Sequence, residues 1–241
     1  MTVPTDTTST EMASTEPAAP DVRELLVAVL GGTGDQGRGL ALRFAAAGIR
    51  VLIGSRDAGR AQHAAEDINQ VLGSGTLACG GTNDEVARRA DIVVVAVPWD
   101  GHRATLESLR DALAGKVVVD CVNPMGFDKQ GAFALDVAEG SAAQQAAAVL
   151  PGSRVVAAFH HVSAVLLWQP ELPDMDCDVM VLGDDRAATD LVQTLAGVVP
   201  GMRGIYAGRL RNAGQVEALT ANLVSVNRRY KAHAGFRVTD V

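Results

Sequence analysis

Two short segments carry most of the chemistry legible in this chain. The first is Leu26 to Gly37, LVAVLGGTGDQG, in which an apolar, β-branched run leads into Gly32-x-Gly34-x-x-Gly37. Glycines at that spacing allow a tight turn, close backbone approach to a pyrophosphate, and close packing of the following helix on its strand. A phosphate placed there meets a helix N-terminus, where unpaired N–H groups and the helix dipole favour negative charge. The motif alone is weak, the alternative being an incidental Gly-rich turn. Val27 to Leu30 nevertheless reads as a strand, and Arg38 to Ala47 has helical composition, which is the context the motif requires.

The second segment is Gly54-Ser55-Arg56, which follows the strand predicted over Arg50 to Ile53. An NAD site places an acidic residue about 20 positions beyond the glycines, where its carboxylate accepts a hydrogen bond from the ribose 2′-hydroxyl. A hydroxyl and a guanidinium stand there instead, and Arg60 follows one helical turn later. Two cations and a hydroxyl suit a 2′-phosphate dianion, so the spacing points to NADP(H). On the blander reading, Arg56 and Arg60 decorate a solvated helix start, although cations there oppose the helix dipole.

The elements that must position these residues alternate. After the second strand, Asp57 to Leu72 reads as a surface helix and Thr76 to Cys79 as a short strand. Asp91 to Pro98, DIVVVAVP, is a continuous apolar run of the kind buried on both faces of a parallel sheet. A helix over Ala104 to Leu113 and strands over Lys116 to Cys121 and Arg154 to Phe159 follow, with a helix expected from Val162 to Leu167. A strand is then expected over Cys177 to Leu182, a helix over Arg186 to Ala196 and a last strand over Met202 to Tyr206. A closing helix near Asn212 to Lys231 places Val216, Leu219, Leu223, Val226 and Tyr230 on one apolar face. The alternation predicts an α/β fold, a Rossmann-type doubly wound parallel sheet with a small C-terminal α/β portion. The expected divisions are a disordered extension over 1–22, an NADP-binding domain over 23–152 and the smaller portion over 153–241.

Ligands of such sheets bind beyond the carboxyl ends of strands, so the residues that follow strands are the informative ones. Besides the two opening segments these are Val97-Pro98-Trp99, Asn123-Pro124 and His160-His161. Trp99 could wall a flat ligand or simply pack. Asn123-Pro124 could place a polar group near a nicotinamide or form an ordinary turn. An imidazole could hold or relay a proton near neutral pH, but adjacent residues point apart, so only one of the two histidines is expected to face a site. The histidines lack metal-ligand spacing, and no metal is expected.

Bulk properties narrow the field further. The chain has 241 residues and a net charge of −7, which argues against a nucleic-acid partner. No apolar stretch approaches the roughly 20 residues of a membrane span. Cys79, Cys121 and Cys177 are scattered and read as buried, reduced thiols of a cytoplasmic protein. The first twenty residues are rich in Thr, Ser and Pro, and the first basic residue is Arg23, so no signal peptide is expected. Neither Tyr206 nor Tyr230 has a lysine four residues on, and Gly-x-Ser-x-Gly does not occur. A hydride carrier with no evident proton donor suggests transfer to a second flat cofactor.

Taken together, GGTGDQGRGLALRFA, IGSR with Arg60, VPWDGH, VDCVNPMGFDKQG, AAFHHVSA, LGDD and RNAGQVEALTANLVSVNRRYKAHAG resemble the NADPH-dependent coenzyme F420 reductases, from Leu26 to about Arg237. Asn222 to Gly235 looks like the actinobacterial branch, whereas Ser163 stands where archaeal members have proline. The resemblance implies a dimer in whose cleft NADP(H) and the deazaflavin F420 stack for direct hydride transfer. It places Thr33, Gly34, Asp35 and Gln36 at the pyrophosphate, Ser55, Arg56 and Arg60 at the 2′-phosphate, and Pro98, Trp99, Asn123 and Ala164 on the nicotinamide side. His160 matches a family histidine, and the helix start after it would offer backbone donors to the anionic reduced deazaflavin. Two other readings stay open at this point: a non-catalytic NADP(H)-binding redox sensor, and an NADPH-dependent flavin reductase.

Overall fold

In the strand Leu26–Leu30 (β1), Val27 and Val29 enter one core while Ala28 and Leu30 enter another. A strand with a core on each face needs a layer of helices on both sides. The computed structural model describes residues 21–73 and 77–241 and supplies those layers. In chain order the elements are β1, the helix Asp35–Ala46 (α1), Arg50–Ser55 (β2), Ala58–Leu72 (α2), Ala78–Thr82 (β3), Asn83–Arg89 (α3) and Ile92–Val95 (β4). They continue through His102–Ser108 (α4), Arg110–Leu113 (α5), Val117–Asp120 (β5), Met125–Asp128 (β6), Gly131–Ala134 (β7), Ala142–Val149 (α6) and Arg154–Ala157 (β8). Ala164–Leu167 (α7), Cys177–Gly183 (β9), Arg186–Gly197 (α8), Met202–Gly208 (β10) and Ala213–Tyr230 (α9) complete the chain.

The eight-stranded sheet has the order β10-β9-β8-β5-β4-β1-β2-β3, and β6 and β7 form a separate antiparallel hairpin. Six neighbouring strands, from β3 to β8, run parallel, and the chain reverses its winding between β1 and β4. Local signals fix the helix ends. Asp57 accepts the Arg60 N–H to cap α2, whose end is Gly73 at φ 60°, and Thr82 and Glu85 form a reciprocal capping box on α3.

Several expectations change. The C-terminal strands are not all parallel to the rest: β9 pairs antiparallel with β8, and β10 pairs parallel with β9, so both extend the main sheet in the opposite direction. The strand expected over Thr76 to Cys79 begins at Ala78 and runs to Thr82, with Thr76 outside the described residues. The helix expected over Ala104 to Leu113 is two pieces, α4 and α5. The helix expected over Val162 to Leu167 is the four-residue α7. On α9 the buried residues are Ala213, Val216, Glu217 and Ala221, while Val226 and Tyr230 of the expected apolar face are 37% and 73% exposed. Cys79 is exposed, unlike Cys121 and Cys177. The expected extension over 1–22 lies mostly outside the described residues, but Val22 is buried in the core.

Candidate functional site

At the carboxyl ends of β1, β2 and β4, beside the reversal of winding, a cleft of about 710 Å³ opens. A larger hollow of about 1020 Å³ lies by Asp91, Lys116 and Arg154 at the amino ends of the strands, where doubly wound sheets do not bind their nucleotides. Thr33, Gly34, Asp35, Gln36, Ser55, Arg56, Arg60, Val97 and Pro98, all expected at the site, line the smaller cleft together.

The glycine-rich turn is shaped by contacts that tolerate no side chain. Gly31 has φ 72°, and a Cβ there would stand 2.6 Å from the Ala96 carbonyl oxygen. This residue, one position before the expected motif, makes the left-handed turn. Gly32 and Gly37 lie buried beneath the cleft, and a Cβ on Gly37 would meet the Gly31 carbonyl oxygen at 2.7 Å, so α1 starts hard against the turn. Gly34 is the N-cap of α1 and supplies no side-chain cap, which leaves the first backbone N–H groups of a twelve-residue helix for an anion. The Asp35 carboxylate is itself anionic, so Asp35 can serve a phosphate only through its backbone.

At the end of β2, Ser55 is 8% exposed, and its hydroxyl oxygen accepts the Asp57 N–H at 3.3 Å. Arg56 and Arg60 are exposed, and among the described residues neither guanidinium is in a salt bridge. Asn83 also lines this end of the cleft, with its side-chain oxygen buried and unpartnered. Sequence reasoning missed Asn83, along with Asp57, Asp100, Gly101 and Thr105 on the cleft wall. The capping box that starts α3 was the signal that could have found Asn83.

The remaining expected residues form a second group. Trp99 sits between the cleft-lining residues Pro98 and Asp100 and packs over His102, with ring centroids 5.6 Å apart. Asn123 Nδ2 donates to the His160 carbonyl oxygen at 3.1 Å, which ties the end of β5 to the end of β8, and Pro124 beside it is buried. Phe159 has φ 64°, a strained conformation for a bulky residue. The Phe159 ring is pinned edge-on to Phe44, and its carbonyl oxygen accepts from Gln36 Nε2 at 3.2 Å.

His160 is 4% exposed with both ring nitrogens unpartnered, and burial pushes its pKa down to about 3. His161 Nε2 donates to the Val216 carbonyl oxygen at 2.8 Å, and its ring packs against Phe236. Both histidines are therefore buried and neutral. Ala164 opens into an adjoining hollow of about 450 Å³, walled by Asp35, Arg38 and Trp168, with the Arg38 guanidinium 3.5 Å above the Trp168 ring.

A bare helix N-terminus, a glycine cradle and exposed guanidiniums beside a buried hydroxyl fit a dinucleotide carrying a 2′-phosphate. Fold and cleft thus define a dinucleotide-binding α/β protein. A family profile described as NADP oxidoreductase, coenzyme F420-dependent, matches residues 26–124. The F420-dependent NADP reductase of Methanothermobacter thermautotrophicus is 42% identical over 226 residues, covering 91% of this chain and 97% of its own. That of Methanocaldococcus jannaschii is 36% identical, covering 89% and 98%. A solved structure from Arthrobacter sp. FB24, described as a candidate F420-dependent NADP-reductase, superposes with a TM-score of 0.76 at 28% identity, covering 89% of this chain and 99% of that one. The chain belongs to the F420-dependent NADP reductase family.

Proposed function

We propose that this protein transfers a hydride directly between NADP(H) and coenzyme F420, in either direction. The observation that carries the reading is the pairing of a phosphate cradle at α1 with exposed Arg56 and Arg60 at the end of β2, in a chain of this family. Nicotinamide C4 and deazaflavin C5 supply the hydride chemistry once both carriers are bound. The residues of the chain bind and align. Backbone N–H groups from Thr33 to Gln36 hold the pyrophosphate, while Ser55, Arg56 and Arg60 hold the 2′-phosphate. Val97, Pro98, Trp99, Asn123 and Ala164 border the nicotinamide, and the hollow at Ala164 receives the deazaflavin.

His160 is buried and neutral and offers no proton near neutral pH, consistent with a step that needs alignment more than acid or base help. The four-residue α7 provides too little helix dipole to stabilise the reduced deazaflavin, so that expected role is set aside. No helix among the described residues is long and apolar enough to cross a membrane, and the reading places the enzyme in the cytoplasm. It also makes it a homodimer, in which exposed Phe127 and Phe133 on the hairpin and Tyr230 on α9 meet a second copy.

The test is to mix purified protein with NADPH and oxidised F420 and follow the deazaflavin absorbance. Loss of absorbance is expected. NADPH binding without transfer would favour a redox sensor, and reduction of FMN or FAD in place of F420 would favour a flavin reductase.

A further inference from the structure

Behind the cleft wall lies a buried polar chain that the phosphate cradle does not require. Asp120 ends β5 and His102 begins α4; both are fully buried, and Oδ2 of one lies 2.6 Å from Nε2 of the other. On the far side of the ring, His102 Nδ1 is 3.0 Å from Gln145 Oε1 on α6. The Gln145 amide is oriented by its own second bond, because its Nε2 donates to Glu139 Oε2 at 3.2 Å and a carboxylate has no proton to give back. Both ring nitrogens of His102 therefore face acceptors, and each needs a proton to make its bond. Glu139 is also paired with Arg103, and Glu217 on α9 is the other buried acid nearby. Burial opposes a charge on His102, but the attraction and hydrogen bond of Asp120 outweigh it, so the net shift of the imidazole is upward.

A buried ion pair is weak evidence for stability, since apolar residues of the same shape often replace one without loss. What this pair touches points to another use. Trp99 packs on the His102 ring, with centroids 5.6 Å apart and an interplanar angle of 31°. The other Asp120 oxygen, Oδ1, accepts the Val122 N–H at 3.0 Å and so fixes the turn that presents Asn123. Asn123 is in turn held by Thr220 Oγ1, which donates to its Oδ1 at 3.2 Å, and by its bond to the His160 carbonyl.

We propose that His102 and Asp120 are positioning residues for the hydride transfer: the buried pair holds Trp99 on one side and the Val122–Asn123 turn on the other, so that the nicotinamide half of the dinucleotide is seated in one orientation. The inference rests on the functional reading above. Both side chains are fully buried, so they act through Trp99 and Asn123 rather than on the reacting atoms.

Asp120→Asn keeps the shape and removes the charge. In the full chain, we would measure the Kd of NADPH and of 2′,5′-ADP, which carries only the adenosine half, together with single-turnover hydride transfer to F420. The Kd of NADPH should rise and the transfer rate fall by about tenfold or more each, with 2′,5′-ADP unchanged within roughly twofold. Trp99 emission in the ligand-free protein should shift, read in a Trp168→Phe background. Equal losses on both nucleotides, or a lowered Tm with NADPH binding and transfer intact, would overturn the positioning role.

Should Asp120→Asn not fold, nitrogen-15 NMR of the histidine rings in the unsubstituted protein decides the matter. Because both ring nitrogens face acceptors, His102 is expected to stay doubly protonated above the ordinary histidine pKa of 6.5, and a ring singly protonated below that pH would overturn the proposal. Failure of the unsubstituted protein to transfer hydride would instead sink the functional reading, a result separable from any effect of Asp120→Asn.

Discussion

Arg56 and Arg60 stand exposed at the cleft, so their substitution should read out binding with little effect on folding. Arg56→Ala and Arg60→Ala are each expected to weaken NADPH binding by roughly 1.5 to 3 kcal/mol while leaving NADH nearly unaffected, as measured by titration calorimetry. Equal loss for both nucleotides would place the arginines elsewhere. Ser55→Asp should discriminate against NADPH further, because it adds a repulsive carboxylate while deleting a donor. At His160 and His161 the expectation differs. Both rings are buried and pushed toward neutrality, so His160→Ala and His161→Ala should slow turnover several-fold through lost packing. General acid or base help is worth about 10² to 10⁴ in rate, and a thousandfold loss in single-turnover transfer with NADPH binding intact would make either histidine an obligate catalyst. The arginines and glycines were legible because each is demanded locally, by a turn or by a charge at a strand end. Asn83, His102 and Asp120 were not, because their roles come from partners 18 or more residues away, such as His102 with Asp120, or from a cleft wall assembled by the fold.

Among the elements, the segment holding α7 and the loop after it depends on one buried side chain from another helix. Arg43, near the end of α1, donates to the carbonyl oxygens of Leu166, Leu167, Gln169 and Leu172 at 2.7 to 3.0 Å. Leu166 and Leu167 close α7, while Gln169 and Leu172 lie in the loop beyond it; Leu166 and Gln169 also accept backbone N–H groups, and the guanidinium fork reaches all four carbonyls. Arg43→Ala should therefore cost roughly 2 to 4 kcal/mol in urea unfolding, and Arg43→Lys should recover little, since an ammonium is a compact charge with three donors. Near-complete recovery by lysine would show that charge, not geometry, holds the segment. In sequence Arg43 looks like an ordinary cation in a last helical turn, so the brace was invisible. The parallel strands β1, β2, β4 and β5 were legible from their continuous apolar runs. The direction of β9, antiparallel to β8, was not, because an apolar run carries no sign of which way it lies in the sheet.

For the whole molecule, the folded body begins before the expected boundary. Val22 is 1% exposed, and Asp21 caps the short turn that carries it. Deleting residues 1–20 should leave Tm and turnover unchanged, whereas deleting 1–22 should lower Tm by removing a core side chain. Equal Tm values for the two truncations would refute the role of Val22. The dependence of stability on pH follows from two buried groups that pull in opposite directions. His160 has a folded pKa of about 3 against an ordinary 6.5. The unfolded chain therefore binds the extra proton between those values, and this contribution falls away as pH drops through that window. Glu217 runs the other way. Burial outweighs the N–H bonds from Ala142 and Ala143 and pushes its carboxyl up to about 7 from 4.5, so here the folded chain binds the extra proton. Stability from Glu217 is full below about pH 4.5 and lost as pH rises toward 7, a swing of about 3 kcal/mol at most. Glu217→Gln cannot titrate, so unfolding free energies at pH 5 and pH 8 (about one unit outside the upper part of the window on the alkaline side) should differ less for the variant than for the unsubstituted protein. Glu217 also helps to raise the His102 imidazole, so the difference reports Glu217 together with its effect on that ring. If the two proteins lose the same stability between those pH values, Glu217 is ionised throughout and its bonds to the start of α6 prevail over burial.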